Sequence, residues 1–82
     1  MSMEAPPREM GARVRPGSKV AVRDDEGEDE FTIVHPEDAD ARLGRVSLDS
    51  PLGRALVGRS VGEKVMVRAP GGVRLVHLIA TS

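Results

Sequence analysis

Hydrophobic and polar residues alternate along two stretches in the first half of the chain, which is the pattern of strands with one buried face. Residues 18–23 and 30–35 alternate in this way, and Pro36 ends the second stretch because proline donates no hydrogen bond to a sheet. The acidic segment between them, residues 24–29, contains Gly27 and predicts a hairpin loop. Together these features predict an antiparallel hairpin.

Three further strands are predicted towards the C-terminus. Residues 44–48 form a short alternating stretch, and residues 64–69 and 73–80 flank a Pro-Gly-Gly sequence that is typical of a tight turn. The last strand carries apolar side chains on both faces, with Leu75 on one face and Val76 on the other. A strand of this kind is predicted to be central and covered on both sides.

One short helix is predicted between the third and fourth strands. Ser50 suits the N-cap, and Pro51 suits the first helical position because the N–H that proline lacks has no partner there. Leu52 and Leu56 supply the buried stripe, and Gly58 suits a left-handed residue after the last turn. The result is an α+β domain, with about five antiparallel strands packed on a helix of about two turns.

The length of the chain, 82 residues, is enough for one domain with a small core. Residues 1–16 are rich in proline, methionine and arginine and show no sustained periodicity, so they are predicted to be a flexible lead-in. The domain itself is predicted to span residues 17–82. We recognise no secretory leader and no membrane-spanning run, and we expect a cytoplasmic protein without a membrane partner.

The composition argues against several classes of function. Cysteine is absent, and the two histidines, His35 and His77, are far apart in sequence, so neither thiol chemistry nor a metal site is predicted. Phe31 is the single aromatic residue and the net charge is −1, which argues against a surface that binds nucleic acid. No cofactor is predicted.

Charged residues are distributed unevenly along the chain. Residues 24–40 hold nine acidic residues and no Lys or Arg, whereas residues 41–82 hold seven basic residues and two acidic ones. Solvated loops explain this pattern, and so does a dipolar surface that orients the domain on a charged partner. Both interpretations stay open, and so does the role of the acidic segment.

The best candidate for a functional site is the corner where the helix begins. Serines 18, 47, 50, 60 and 82 are explained as turn, strand or cap residues, so no catalytic nucleophile and no enzyme activity are predicted. The acidic residues at 24–30 do not follow the ligand spacing of a calcium loop. Asp49, Ser50 and Pro51, with Arg45 nearby in sequence, form a compact polar corner that a partner could contact.

Motifs spread over residues 17–80 resemble the C-terminal domain of the GreA/GreB transcription elongation factors. The most specific combination is Ser-Pro-Leu-Gly at residues 50–53, followed by Ala-Leu, together with Pro-Gly-Gly at residues 70–72. The other matching segments are residues 17–24, 31–34, 36–40, 44–58 and 61–63. The resemblance implies an FKBP-like fold, in agreement with the strands and the helix predicted above.

The resemblance also implies a partner and a site. It implies that the domain docks as a monomer on bacterial RNA polymerase, at the rim of the secondary channel, on the coiled coil of the β′ subunit. Contacts in the family lie at the start of the short helix, which in this sequence is Asp49, Ser50 and Pro51. Leu52 and Arg45 flank these residues and are added as candidates.

One part of the family pattern has no counterpart in this sequence. In the family, a long antiparallel coiled coil precedes this domain, and acidic residues at its tip hold a metal ion in the polymerase active site to promote transcript cleavage. Residues 1–16 are too few for two long helices, because a helix rises only ~1.5 Å per residue. We therefore do not expect this chain alone to stimulate cleavage.

Three functions stay open after the sequence analysis. The first is a stand-alone polymerase-binding module that regulates elongation and competes with full-length cleavage factors, helped by basic residues such as Arg54 and Arg59. The second is the excised or truncated C-terminal domain of a full-length cleavage factor. The third is an FKBP-like prolyl isomerase or peptide-binding chaperone, which the shortage of aromatic residues disfavours. The sequence does not decide whether the effect on transcription is activating or inhibitory.

Overall fold

A computed structural model of the protein describes residues 9–82, which form five strands and one α-helix. The elements are β1 (Lys19–Asp24), β2 (Gly27–Val34), β3 (Arg45–Ser47), α1 (Pro51–Leu56), β4 (Lys64–Ala69) and β5 (Gly72–Thr81). Two single turns of 3-10 helix, Pro36–Asp38 and Ala41–Leu43, lie between β2 and β3. Within residues 9–82, no helix is long and apolar enough to cross a membrane.

The five strands form one sheet in the order β3-β2-β1-β5-β4. The α+β class is confirmed, but the sheet is mixed, because β3 pairs with β2 in the parallel direction. The connection through the two 3-10 turns returns the chain to the level of Thr32, so that β3 runs alongside the end of β2 in the same direction. In this pairing Arg45 lies beside Thr32 and Ser47 lies beside Val34. Alternation of apolar residues is the same in parallel and antiparallel strands, so the sequence pattern did not indicate this direction.

The hairpin between β1 and β2 is tighter than the sequence predicts. The ladder continues to the pair Asp24 and Gly27, which leaves a loop of two residues, and Gly27 has a φ of +131°. The acidic residues Glu28 and Asp29 therefore lie in β2, where the sequence predicted a loop over residues 24–29. As a result, the backbone positions of these acidic residues are fixed by the sheet.

The core lies between α1 and the concave face of the sheet. Its fully buried side chains include Ile33, Leu56, Val76 and Leu78. As predicted, β5 is an interior strand, since it pairs with both β1 and β4. The expected cover on its second face is missing at Leu75, which is 50% exposed.

The segment before β1 packs on the domain from residue 9 onward. Val14 is 1% exposed and belongs to the core. Its N–H donates to the carbonyl of Arg59 at 2.9 Å, and its carbonyl accepts from the N–H of Gly58 at 2.9 Å. Residues 9–16 therefore differ from the predicted flexible lead-in. The remainder of that prediction, residues 1–8, lies outside the described residues.

Candidate functional site

The start of α1 is a corner held by three local hydrogen bonds. The hydroxyl of Ser50 accepts from the N–H of Gly53 at 3.1 Å and donates to the carbonyl of Ser47 at 2.7 Å. The hydroxyl of Ser47 accepts from the N–H of Asp49 at 3.0 Å. Ser50 is thus the N-cap and Pro51 opens the helix, which confirms the predicted cap. These bonds fix the backbone from which the candidate side chains project.

A close approach at Gly53 fixes the angle between α1 and the preceding segment. A Cβ atom at this position would collide with the carbonyl oxygen of Ser47 and would lie 2.8 Å from the Cα of Leu48. Such distances are too short for any side chain without movement of the backbone. Gly53 is therefore required by packing, although glycine inside a helix is otherwise unfavourable.

Asp49 and Ser50 use their side chains differently. The side chain of Asp49 is exposed, and within residues 9–82 its carboxylate forms no hydrogen bond or ion pair. The hydroxyl of Ser50, in contrast, is half-buried and fully engaged in the cap. Asp49 thus offers a free anion at a rigid position, whereas Ser50 holds that position.

The other three predicted site residues occupy distinct environments. Pro51 is exposed beside Asp49. Leu52 is half-buried and packs against the core. Arg45 is exposed at the start of β3, where its backbone pairs with Asp40. The structure therefore brings Asp49 and Pro51 together at the surface, and it assigns Leu52 a role in packing.

A groove between α1 and the edge strand β4 continues from this corner. It has a volume of about 430 Å³ and is open to solvent. We call it the α1–β4 groove; its lining residues are Asp49, Pro51, Arg54, Ala55, Met66 and Arg68. Sequence analysis missed Met66 and Arg68, because no pattern in the sequence indicates which strand lies beside the helix.

A second open groove lies at the end of α1. It has a volume of about 420 Å³ and contains three arginines, Arg13, Arg54 and Arg59. The guanidinium of Arg59 is already engaged, since its Nε donates to the carbonyl of Ala55 at 3.3 Å and its Nη1 lies 3.7 Å from Glu63. This groove is therefore partly neutralised by the protein itself.

The acidic hairpin is tied down by one arginine from β5. The Nε of Arg74 donates to the Oδ2 of Asp24 at 2.6 Å, and its Nη2 contacts the same oxygen and also the Oδ2 of Asp29 at 3.2 Å. The hydrogen bond from Arg74 is the main cause that lowers the pKa of Asp24 below its usual value, and it raises the pKa of Arg74. The carboxylates of Asp24 and Asp29 and the guanidinium of Arg74 thus form one ion-paired network.

The histidines and the phenylalanine of the described residues lie outside the α1–β4 groove. Among residues 9–82, no group of three or more His, Asp or Glu side chains is arranged to hold a metal ion. His77 is exposed on the outer face of β5, and His35 precedes the first 3-10 turn. Phe31 is 7% exposed and belongs to the core, so it does not line a surface pocket.

The chain is similar in sequence to proteins of one known family. The family model for the C-terminal region of the transcription elongation factors GreA/GreB matches residues 9–81. The chain is 44% identical over 71 residues to the transcription elongation factor GreA of Caulobacter vibrioides, covering 84% of this chain and 45% of the relative. It is 39% identical over 72 residues to GreA of Sinorhizobium medicae, covering 85% of this chain and 46% of that protein. The chain thus spans about half the length of these relatives.

Solved structures support the same relationship. The GreA factor homolog 1 (Gfh1) of Thermus thermophilus superimposes with a TM-score of 0.77 at 28% identity, over 88% of this chain and 49% of that one. A GreA/GreB elongation factor from Nitrosomonas europaea superimposes with a TM-score of 0.69 at 30% identity, over 84% of this chain and 59% of that one. In sequence and in fold, the chain belongs to the GreA/GreB family of transcription elongation factors, and it corresponds to the C-terminal domain of that family.

Proposed function

We propose that this chain is a non-enzymatic module that docks on bacterial RNA polymerase, at the rim of the secondary channel, and regulates transcription elongation. The relatives are elongation factors by name, and this chain matches the C-terminal part of them. The observation that carries the proposal is the exposed carboxylate of Asp49, which is unpaired within residues 9–82 and is held at a capped helix start. This position is the one for which the family resemblance implies contact with the polymerase.

The geometry of the corner suits recognition of a partner. Docking restricts the motion of flexible side chains, and each side chain that is immobilised makes the free energy of binding less favourable by roughly 0.5–1.5 kcal/mol. Here the backbone is already fixed by the cap of Ser50 and by the close approach of Gly53. Asp49 has a short side chain and Pro51 a closed ring, so little freedom is lost on binding. We therefore assign direct contact to Asp49 and Pro51, and a positioning role to Ser50.

Leu52 and Arg45 have smaller roles in this proposal. Leu52 packs against the core, so its contribution is to hold the first turn of α1 in place. Arg45 is exposed on β3 and lines neither groove at the ends of α1, so we place it at the margin of the docking surface. The β′ coiled coil is the partner element implied by the family resemblance, and we propose it as the element that the corner meets.

The 82-residue domain by itself is proposed to act as a competitor. A domain that occupies the rim blocks a full-length cleavage factor from the same place. In a transcript-cleavage assay, the 82-residue chain should have no stimulating effect alone. Added in excess to a full-length factor, it should reduce cleavage in proportion to its occupancy.

A second candidate is favoured by the coverage of the relatives. The chain matches about 45% of the GreA of Caulobacter vibrioides, which fits the C-terminal domain of a longer cleavage factor. The docking surface is the same in both proposals, but the activity differs. A coding sequence for two long helices immediately upstream would identify the longer factor, and the competitor role would then be replaced by cleavage stimulation.

The docking proposal is tested by equilibrium binding of the 82-residue chain to purified bacterial RNA polymerase. Asp49→Ala should weaken binding by about tenfold or more, the effect of losing a central contact worth ~1.4 kcal/mol. Asp38→Ala is the matched control, because Asp38 is also an exposed aspartate but lies in the first 3-10 turn. Equal binding by wild type and Asp49→Ala would contradict the site, and no binding by the wild type would contradict the function.

A further inference from the structure

We propose that the docking surface extends from the corner through the α1–β4 groove. In this inference, Arg54, Arg68 and Met66 bind a polymerase segment that presents carboxylates beside an apolar side chain. The inference rests on the proposed function, since the groove shares Asp49 and Pro51 with the corner. It adds residues of the edge strand β4 to a site that sequence analysis centred on the helix start, with basic residues such as Arg54 as helpers.

The apolar part of the groove centres on Met66. This side chain is 62% exposed, while its neighbours in β4, Val65 and Val67, are 3% and 4% exposed and belong to the core. Pro51 and Ala55 of α1 provide further apolar surface on the other side of the groove. Methionine is flexible and polarisable, and it adapts to the shape of an apolar partner side chain. The groove therefore offers an apolar contact that water covers in the free protein.

The charges of the groove define the chemistry of its partner. Arg54 and Arg68 are exposed, and within residues 9–82 neither has a carboxylate within 4.0 Å. Other arginines do have such partners, for example Arg23 with Glu28 at 3.2 Å. A guanidinium binds a carboxylate through two parallel hydrogen bonds, which gives both attraction and orientation. Two unpaired guanidiniums beside an apolar strip thus fit an acidic segment that carries an apolar side chain.

Continuity with the corner makes the groove part of one surface. Asp49 and Pro51 line the groove and also form the helix start, so a partner that contacts the corner has the groove directly beside it. Arg54 lies one turn further along α1, on the face shared by both grooves. A segment that meets Asp49 through a basic side chain can therefore place its acidic side chains against Arg54 and Arg68.

Charge reversal in the groove tests this inference. The double variant Arg54→Glu with Arg68→Glu should weaken binding to purified RNA polymerase by about tenfold or more in about 0.05 M salt. The effect should be smaller in about 0.3 M salt, because screening acts on exposed charges. The double variant Arg15→Glu with Arg42→Glu is the matched control, since both arginines are exposed and line neither groove. All variants are first compared by circular dichroism and thermal unfolding.

Met66→Ser tests the apolar contact. It should weaken binding by about threefold to tenfold with little dependence on salt, because the lost contribution is burial of apolar surface. Leu43→Ser is its control, since Leu43 is 63% exposed but lies in the second 3-10 turn.

The outcomes separate this inference from the function on which it rests. If Asp49→Ala loses binding while the groove variants bind within about twofold of the wild type, the docking proposal stands and the groove inference is wrong. If the wild type does not bind, both are wrong. If the groove double reversal and the control double reversal weaken binding equally, a general effect of net charge replaces the specific contact, and the inference is overturned.

Discussion

The helix-start corner and the acidic hairpin differ in how they use charge. At the corner, Asp49 is held by a rigid backbone, and its carboxylate is unpaired within the described residues. At the hairpin, Asp24 and Asp29 share the guanidinium of Arg74. The hairpin carries far more negative charge, but ion pairs with arginines of the same domain compensate much of it. Our proposed binding site therefore rests on a single charge that is held by a fixed backbone and is unpaired within residues 9–82.

This comparison gives the two regions opposite expected responses to substitution. Substitutions that remove the support of the corner should lower both stability and docking. Substitutions of the free carboxylate should lower docking alone, and substitutions of the paired carboxylates should lower stability alone. The following predictions separate these effects, in order of their expected effect on the free energy of unfolding.

Gly53→Ala should have the largest effect. The added methyl group would collide with the backbone of Ser47 and Leu48, and overpacking of this kind costs about 1–3 kcal/mol or more. The displaced helix start should also weaken docking. Gly71→Ala is the control, because a Cβ there meets nothing within 4 Å. Thermal unfolding measures both variants, and equal stability of Gly53→Ala and the wild type would contradict the close approach.

Ser50→Ala should lower the free energy of unfolding by about 1 kcal/mol, the usual contribution of an N-cap. The substitution leaves the N–H of Gly53 without its side-chain partner and removes the bond to the carbonyl of Ser47. Ser50→Thr keeps the hydroxyl and should restore most of the stability. If Ser50→Ala weakened docking without any loss of stability, Ser50 would be a contact residue, and its positioning role would be wrong.

Asp24→Asn should lower stability in a manner that depends on pH. The pKa of Asp24 is held below its unfolded value, chiefly by the hydrogen bond from Arg74, so its contribution is fully present above the unfolded pKa, about 3.9. The contribution is lost as the pH falls through the folded pKa. The melting temperatures of wild type and variant should therefore differ at neutral pH and converge in acid. Asp25→Asn is the control, since Asp25 is exposed outside this network. A difference for Asp24→Asn that stayed constant with pH would contradict the mechanism.

Asp49→Ala should have the smallest effect on stability, within about 0.5 kcal/mol of the wild type. Its carboxylate forms no hydrogen bond or ion pair within residues 9–82, so little is lost in the free protein. A fall in the melting temperature as large as that of Ser50→Ala would show that Asp49 supports the fold, and it would remove the basis for treating its carboxylate as free.

Much of the fold was predictable because local patterns agree with it. Alternation of apolar residues identified β1, β3 and the second half of β2, and the Pro-Gly-Gly turn identified β4 and β5. Ser50 with Pro51 identified the start of α1. Gly58 has a φ of +87° after the helix, as its position predicted. These features depend on neighbouring residues in the sequence, and for that reason a single sequence contains them.

The features that sequence analysis missed depend on contacts between distant segments. The parallel pairing of β2 and β3 is set by the path of the connection between them. Val14 lies in a short segment in which sequence analysis recognised no sustained periodicity, and its burial depends on pairing with the chain around residue 59. Likewise, the alternating pattern of β4 predicts only that Met66 faces outward. Its place beside α1 depends on the position of β4 at the edge of the sheet.

The candidate site was predictable in part. The sequence indicated Asp49, Ser50 and Pro51 through the cap pattern and through the family resemblance, but it did not separate contact from support. The structure makes that separation, because it engages the hydroxyl of Ser50 and leaves the carboxylate of Asp49 in solvent. The extent of the groove could not be predicted from local sequence patterns, because its two sides come from α1 and β4, which are separate in the sequence.

The most direct test of the account is to measure the affinity of Asp49→Ala and of Asp24→Asn for purified RNA polymerase in parallel with their melting temperatures. The account predicts that Asp49→Ala binds about tenfold more weakly with an unchanged melting temperature. It predicts that Asp24→Asn binds within about twofold of the wild type with a lower melting temperature at neutral pH. Wild-type affinity of Asp49→Ala, or an equal loss of affinity in both variants, would contradict it.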